Sequence, residues 1–266
     1  MDLPGDQDEL VRRVCAANPR TVVVLNAGSP VTMPWADDAP ALLDMWFGGQ
    51  EMADALVDVL TGRADPSGRL PTTFPERLEH APAYGNFPGE GGEVRYGEGV
   101  LVGYRWYEAR HLPVRFPFGH GLSYTTFELG EPEVVDGEPM LVRVRVTNTG
   151  SRSGGEVVQL YVEEVDPKVV RPPKELKAFA KVWLEAGGSA TVTLGLTERA
   201  FAHWQPSDEA YAATRRRQED TTVRMSGGPR RERSAAGWHV EPGEFRLHIG
   251  RSSADIAHVV PITITG

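Results

Sequence analysis

His120 and Ser123 stand three positions apart in "FGHGLSY", and they are of the types that serve as general base and nucleophile. A catalytic serine of that kind is lifted out on a strained turn, and the G-x-S-x-G pattern that builds such a turn is missing. H-E-x-x-H, Walker A and G-x-G-x-x-G patterns are also missing in the right surroundings. The seven histidines are scattered and Cys15 is the single cysteine. The sequence therefore offers no internal disulfide and no cysteine-based metal site, and no cofactor is expected. Cys15 lies among apolar helix residues, where an inert core thiol is favoured over a reactive one.

The elements that carry these residues are of two kinds. In residues 5–18, Leu10, Val11, Val14 and Cys15 recur at helical spacing, and Asn18-Pro19 ends the helix. Thr21 to Leu25 is a β-branched run without alternation, the pattern of a parallel strand covered on both faces. A second apolar run, "ALLDMWF" (41–47), reads as another strand, with Trp46 in the core. The helix after it predicts a buried stripe of Met52, Ala53, Leu56, Val57 and Leu60, closed by Gly62. Strand and helix in alternation make α/β grammar. Residues 76–100 are polar and rich in Gly and Pro, and read as a long linker loop.

From about residue 131 the grammar changes. "MLVRVRVTNTG" alternates strictly, and further short strands follow at regular spacing to the end of the chain. That predicts an all-β sandwich of the immunoglobulin or fibronectin III type. The fold class expected is thus a partial α/β sandwich with an incomplete sheet (1–130), followed by a β-sandwich (131–266). The charged, aperiodic stretch 205–236 reads as a mobile insertion between two strands. Its arginines favour a solvated loop over an anion-binding site.

A net charge of -9 excludes a nucleic-acid footprint over the whole chain, since phosphate binding needs a basic surface. No apolar run is long enough to span a membrane, so neither nucleic acid nor membrane is an expected partner. The acidic opening "MDLPGDQDEL" lacks the cationic region of a signal peptide, which leans towards the cytoplasm unless the first residue is internal to a longer protein.

Several stretches in order carry a resemblance: "LPGDQDELV", "TVVVLNAGSPVTMPW", "WFGGQEMADALVDVLTGRADPSGRLPTTFP", "YGEGVLVGYRWYE" and "FPFGHGLSYTTFEL". They resemble the C-terminal half of glycoside hydrolase family 3, the β-glucosidase family. "VRVRVTNTGSRSGGEVVQLYV", "RPPKELKAFAKVWLEAGGSATVTLGLTE" and "WHVEPGEFRLHIGRSS" resemble its fibronectin type III-like domain. Apart from 205–236, the resemblance covers nearly the whole chain.

The resemblance implies that the full-length retaining enzyme hydrolyses terminal non-reducing β-glycosides, with a β-glucoside or oligosaccharide as substrate. It implies a barrel bearing the nucleophilic aspartate. In many members the acid/base glutamate lies just upstream of the segment matching "LPGDQDEL". The chain then starts after both groups and after the first strands of the α/β sheet. A separate barrel-bearing chain is one way to supply them.

Retaining hydrolysis needs two carboxyl groups about 5–5.5 Å apart, one of them kept protonated in a dry pocket. Asp37 and Asp38 lie where a helix can begin and suit its N-terminus better. Glu90, Glu93 and Glu98 lie in the loop, open to water, and neither Glu98 nor Glu108 has a basis for a catalytic assignment. No catalytic residue is therefore assigned, and the chain alone is expected to be inactive. Sugar rings stack on aromatics, and Trp35, Trp46, Tyr96, Tyr104, Trp106 and Tyr107 are the candidates. Tyr96, Arg105 and Trp106, in or beside the long loop, are the substrate-binding candidates retained. Phe116, Phe118, Tyr124 and Phe127 read as packing at the joint between the two parts. The alternative function is a stand-alone, non-catalytic carbohydrate-binding or protein-interaction module.

Overall fold

The computed structural model describes residues 1–206 and 236–265, so nearly all of the expected insertion at 205–236 lies outside the described residues. Helix α1 (Gln7–Ala17) ends where Asn18, ahead of Pro19, turns extended at φ -143°. Strand β1 (Val22–Leu25) pairs in parallel with β2 (Ala41–Asp44), with Val22 opposite Ala41 and Leu25 opposite Asp44. Helix α2 (Met52–Leu60) follows, and Gly62 leaves it in the left-handed region at φ 73°. Then come β3 (Phe74–Pro75), α3 (Tyr104–Ala109) and β4 (Val114–Phe116), which pairs antiparallel with β3.

This first part is a fold of the predicted α/β kind, with less cover than the sequence pattern implies. Its core is Leu25, Val31, Met33, Trp35 and Phe74. Trp35 is fully buried, and its indole donates to Asp8 Oδ1 at 2.7 Å, tying α1 to the core. Cys15 is buried. The expectation that β1 is covered on both faces fails, because Val22 and Val24 stay 44% and 38% exposed. The predicted stripe on α2 is not buried either: no α2 residue is buried, and Val57 and Leu60 are 48% and 46% exposed. A sheet of two strands is too narrow to cover a helix and both faces of a strand. The run 41–47 is a strand only to Asp44, since Trp46 adopts φ 46° and turns the chain off the sheet.

The second part is the predicted β-sandwich. One sheet has β10 (Ser189–Leu196) beside β7 (Met140–Asn148), with β5 (Phe127–Leu129) and β6 (Glu133–Val135) also paired to β7. In β7, residues 140, 142, 144, 146 and 148 are buried, as its alternation predicts. The other sheet runs β14 (Ile256–Ile264), β13 (Gly243–Gly250), β8 (Gly154–Glu164), β9 (Glu175–Leu184). Pro261 lies in β14, an edge strand, where a residue without an N–H is tolerated. A ribbon of β11 (His203–Gln205) and β12 (Gly237–His239) sets Trp204 opposite Trp238, rings 5.4 Å apart. The Arg199 guanidinium lies 3.3 Å from the Trp238 ring centroid.

Strand β8 joins the two parts. Val158, Leu160 and Val162 enter the sandwich core, while Gln159 and Tyr161 on its other face are also buried. The α/β part covers them: Tyr161 meets Tyr104 edge-on at 5.8 Å, and Tyr104 stacks on Phe118 at 4.8 Å. Gln159 Nε2 donates to the Gly119 carbonyl at 3.1 Å. Asp65 accepts from Ser123 Oγ and Tyr124 N, both at 2.7 Å, and from Gly155 N at 3.1 Å. At the same seam Arg69 pairs with Glu156, side chains 10% and 3% exposed, and Arg251 Nε lies 3.4 Å from the second Glu156 oxygen.

Removing one partner of such a pair strands the other charge away from water. Glu156→Ala is expected to destabilise the chain by about 3–5 kcal/mol, read as a lower urea midpoint. A midpoint unchanged from the parent would show that the pair does not hold the seam.

Candidate functional site

Helix α3 and the loop before it carry the three sugar-binding candidates, and the structure gives each a different setting. Tyr96 is 79% exposed in the loop. Trp106 is tied down, with its Nε1 donating to the His80 carbonyl at 3.0 Å and Arg110 stacked 4.2 Å from its ring. Arg105 turns to the sandwich and lies 3.3 Å from Glu175 Oε1. Among the described residues, no hydrogen bond or ring contact joins Tyr96 to either of the others.

Arg105 belongs to a charge network across the seam. Arg171, only 5% exposed, pairs with Glu164 at 2.5 Å and Glu175 at 2.9 Å, and Lys177 lies 3.3 Å from Glu175. Burial pushes the Glu175 carboxyl up, but the Arg171 hydrogen bond and the nearby Lys177 and Arg105 charges bring it below the usual range. Next to this network lies a cavity of about 350 Å³, lined by Tyr104, Tyr107, Glu108, His111 and Ser253 among others. Burial raises the Glu108 carboxyl, opposed by Lys174 at 2.7 Å, and burial pushes the Tyr107 hydroxyl up to about 12.

The other candidates resolve as structure. Ser123 gives its hydrogen bond to Asp65, while the His120 ring stacks on Phe116 at 5.3 Å. Asp37 sits in a single 3-10 turn rather than at an α-helix start, 84% exposed and paired with Arg115 at 2.6 Å. Glu90 and Glu93 face each other through their backbones in an exposed turn. Phe118 and Phe127 pack at the joint and the sandwich core, as their sequence context predicts. Among the described residues, no group of three or more His, Cys, Asp or Glu side chains could hold a metal ion. No helix among them is long and apolar enough to cross a membrane.

Sequence reading missed the carboxyl end of the parallel pair. Asp44 closes β2 and accepts from Trp46 N at 3.1 Å, while its second oxygen is buried without a hydrogen-bond partner. Burial raises its carboxyl, against the pull of that one bond. Phe47 follows, 80% exposed. The signal available was the pair of glycines straight after two aromatics, which stops the strand and frees one ring.

The sequence and the fold match known proteins along most of the chain. Residues 1–124 match the glycosyl hydrolase family 3 C-terminal domain, and residues 156–224 match the fibronectin type III-like domain. The chain belongs to glycoside hydrolase family 3. This family 3 chain is 44% identical to thermostable β-glucosidase B of Acetivibrio thermocellus over 96% of its own length and 31% of that protein's. It is 50% identical to a probable β-glucosidase I of Emericella nidulans over 80% of its own length and 27% of that protein's. Among solved structures, the β-glucosidase of Kluyveromyces marxianus in complex with glucose superposes with TM-score 0.85 at 40% identity, over 100% of this chain and 29% of that one. DesR, a β-glucosidase of Streptomyces venezuelae in complex with D-glucose, gives 0.85 at 36%, over 99% and 31%. The family 3 chain thus spans under a third of the length of these curated relatives.

The raised Asp44 carboxyl sets a pH dependence of known sign. With the folded pKa above the unfolded one, the protonated acid favours the native state; the gain is full below the ordinary aspartate range and is lost as pH rises through the raised value. Asp44→Asn keeps an oxygen for Trp46 N and removes the charge. It is expected to melt above the parent at about pH 7, with the gap closing by about pH 3. Equal melting at both would show that the carboxylate is not destabilised by burial.

Proposed function

We propose that this chain is a non-catalytic part of a β-glucosidase-like enzyme, and that the nucleophile and acid/base come from outside its 266 residues. The barrel that carries the nucleophile is supplied by the remainder of a longer polypeptide or by a separate barrel-bearing chain. The observation that carries this is the exposure of apolar side chains on β1 and α2 of the α/β part. Val22, Val24, Val57 and Leu60 are all more than a third exposed on elements whose sequences ask for burial. On the sandwich Phe179 and Trp183 are exposed too, but at alternating outward positions of β9, while its inner face fills a continuous core. Apolar exposure of the kind on β1 and α2 marks a surface that another part of a protein covers.

The electrostatics support the same reading. The described carboxylates pair with cations, accept from neutral donors as Asp8 and Asp65 do, stand singly as Asp44 does, or open to water, and none is described as one of an enclosed pair across a sugar-sized cleft. In this reading Tyr96 faces the substrate on its loop, while Arg105 and Trp106 hold α3 behind it. The full enzyme removes a terminal sugar from a β-glucoside with retention.

The chain alone is expected to leave p-nitrophenyl-β-glucoside unhydrolysed. Turnover well above a blank would overturn the proposal. The apolar exposure on β1 and α2 predicts concentration-dependent association and binding of a dye for exposed apolar surface. Val57→Lys with Leu60→Lys is expected to reduce both, while stability changes by no more than about 0.5 kcal/mol per site. A parent chain that is monomeric and silent to the dye would favour an independent binding module instead.

A further inference from the structure

The carboxyl edge of the parallel pair holds an aromatic group with no packing role. Strands β1 and β2 end level, Leu25 opposite Asp44, and the chain leaves β2 through Trp46, Phe47, Gly48 and Gly49. Trp46 takes φ 46°, uncommon for a bulky side chain, and its ring packs on Phe74 at 5.8 Å. Phe47 is left 80% exposed. Its ring is nonetheless seated: a Cβ on residue 28 would lie 2.5 Å from Phe47 Cε2 and 2.6 Å from Cζ, so only glycine there leaves room for the ring edge. A ring held by its edge keeps its faces free. At the same strand ends stands Asn26, an exposed amide with donors and an acceptor, its Nδ2 3.9 Å from Met52 Sδ, while the second Asp44 oxygen is buried beneath the edge without a partner.

An exposed aromatic face beside an exposed amide is chemistry that takes a pyranose. The C–H face of the sugar covers the ring, and its hydroxyls meet the amide. Open α/β sheets bind ligands outside the carboxyl ends of their strands, where this group lies. We propose that Phe47, seated on Gly28 at the carboxyl edge of β1 and β2, is a stacking platform for a pyranose ring of the glycoside. The choice of a sugar rests on the family reading above; the position of the platform does not.

The test is saturation-transfer NMR on the full 266-residue chain with cellobiose as probe. Saturation is expected to reach the pyranose ring protons in the parent. It falls severalfold in Phe47→Ala, which removes an exposed side chain and spares the core. It falls also in Gly28→Ala, which keeps the ring but unseats it. It survives in Phe47→Trp and in Trp204→Ala, a change at a second exposed aromatic. No transfer in the parent, or transfer unchanged in Phe47→Ala, overturns the platform. Either result leaves the non-catalytic reading intact, whereas glucoside turnover by the chain alone overturns that reading and not this one.

Discussion

The Arg69–Glu156 ion pair is held almost out of water at the point where the α/β part meets the sandwich. A charge in that position needs its partner, and the partners come from segments 87 residues apart. The constraint spreads from there. Arg69 also donates to the Gly121 carbonyl, and Arg251 reaches Glu156 on one side and the Phe127 carbonyl on the other. Asp65, four residues before Arg69, gathers Ser123, Tyr124 and Gly155. One irregular segment, 65–70, therefore fixes the joint 118–125 against the opening of β8. Such a network is a device for geometry more than for stability, since an apolar seam of similar volume would hold as well. It sets how α3 and its loop are presented relative to the sandwich.

Much of this was legible from residue patterns. The strict alternation of β7 showed its buried face, and Asn18-Pro19 and Gly62 marked helix ends. The unalternating "EVVQLYV" of β8 also had a physical meaning, because both faces of that strand are covered. The same logic misled at β1, where a run written for two covered faces has one open. Pattern reports a demand for burial, and at β1 the described residues do not meet it. The sugar candidates were chosen by residue type. Residue type could not tell that Trp106 would give its indole N–H to His80, or that Arg105 would face Glu175, because both contacts depend on how α3 packs. Phe47 was passed over because it sat in what read as a strand, and the left-handed backbone at Trp46 cannot be inferred from propensity.

The two parts of the chain are unequal in self-sufficiency. The sandwich closes a continuous apolar core from both sheets, with Val142, Val144, Val158, Leu160, Phe245 and Leu247 fully buried. The α/β part has a small core. The asymmetry is one of cores: the sandwich has a continuous one even though Phe179 and Trp183 stay exposed on the outer side of β9, while β1 and α2 leave apolar side chains exposed beside a small one. The proposed role, a part of an enzyme whose chemistry is performed by other residues, rests on this asymmetry.

The β11–β12 ribbon bears on how the family 3 chain tolerates change. Gln205 and Gly237 sit directly opposite each other, with the Trp204–Trp238 pair clamping the next rung and Arg199 bracing it. Whatever joins those two positions begins and ends at one place, so its length leaves the register of the sheets untouched. Loop closure grows only with the logarithm of length, about 0.6 kcal/mol for each doubling. Changes of length or composition between Gln205 and Gly237 therefore need not shift the register of the strands that flank them.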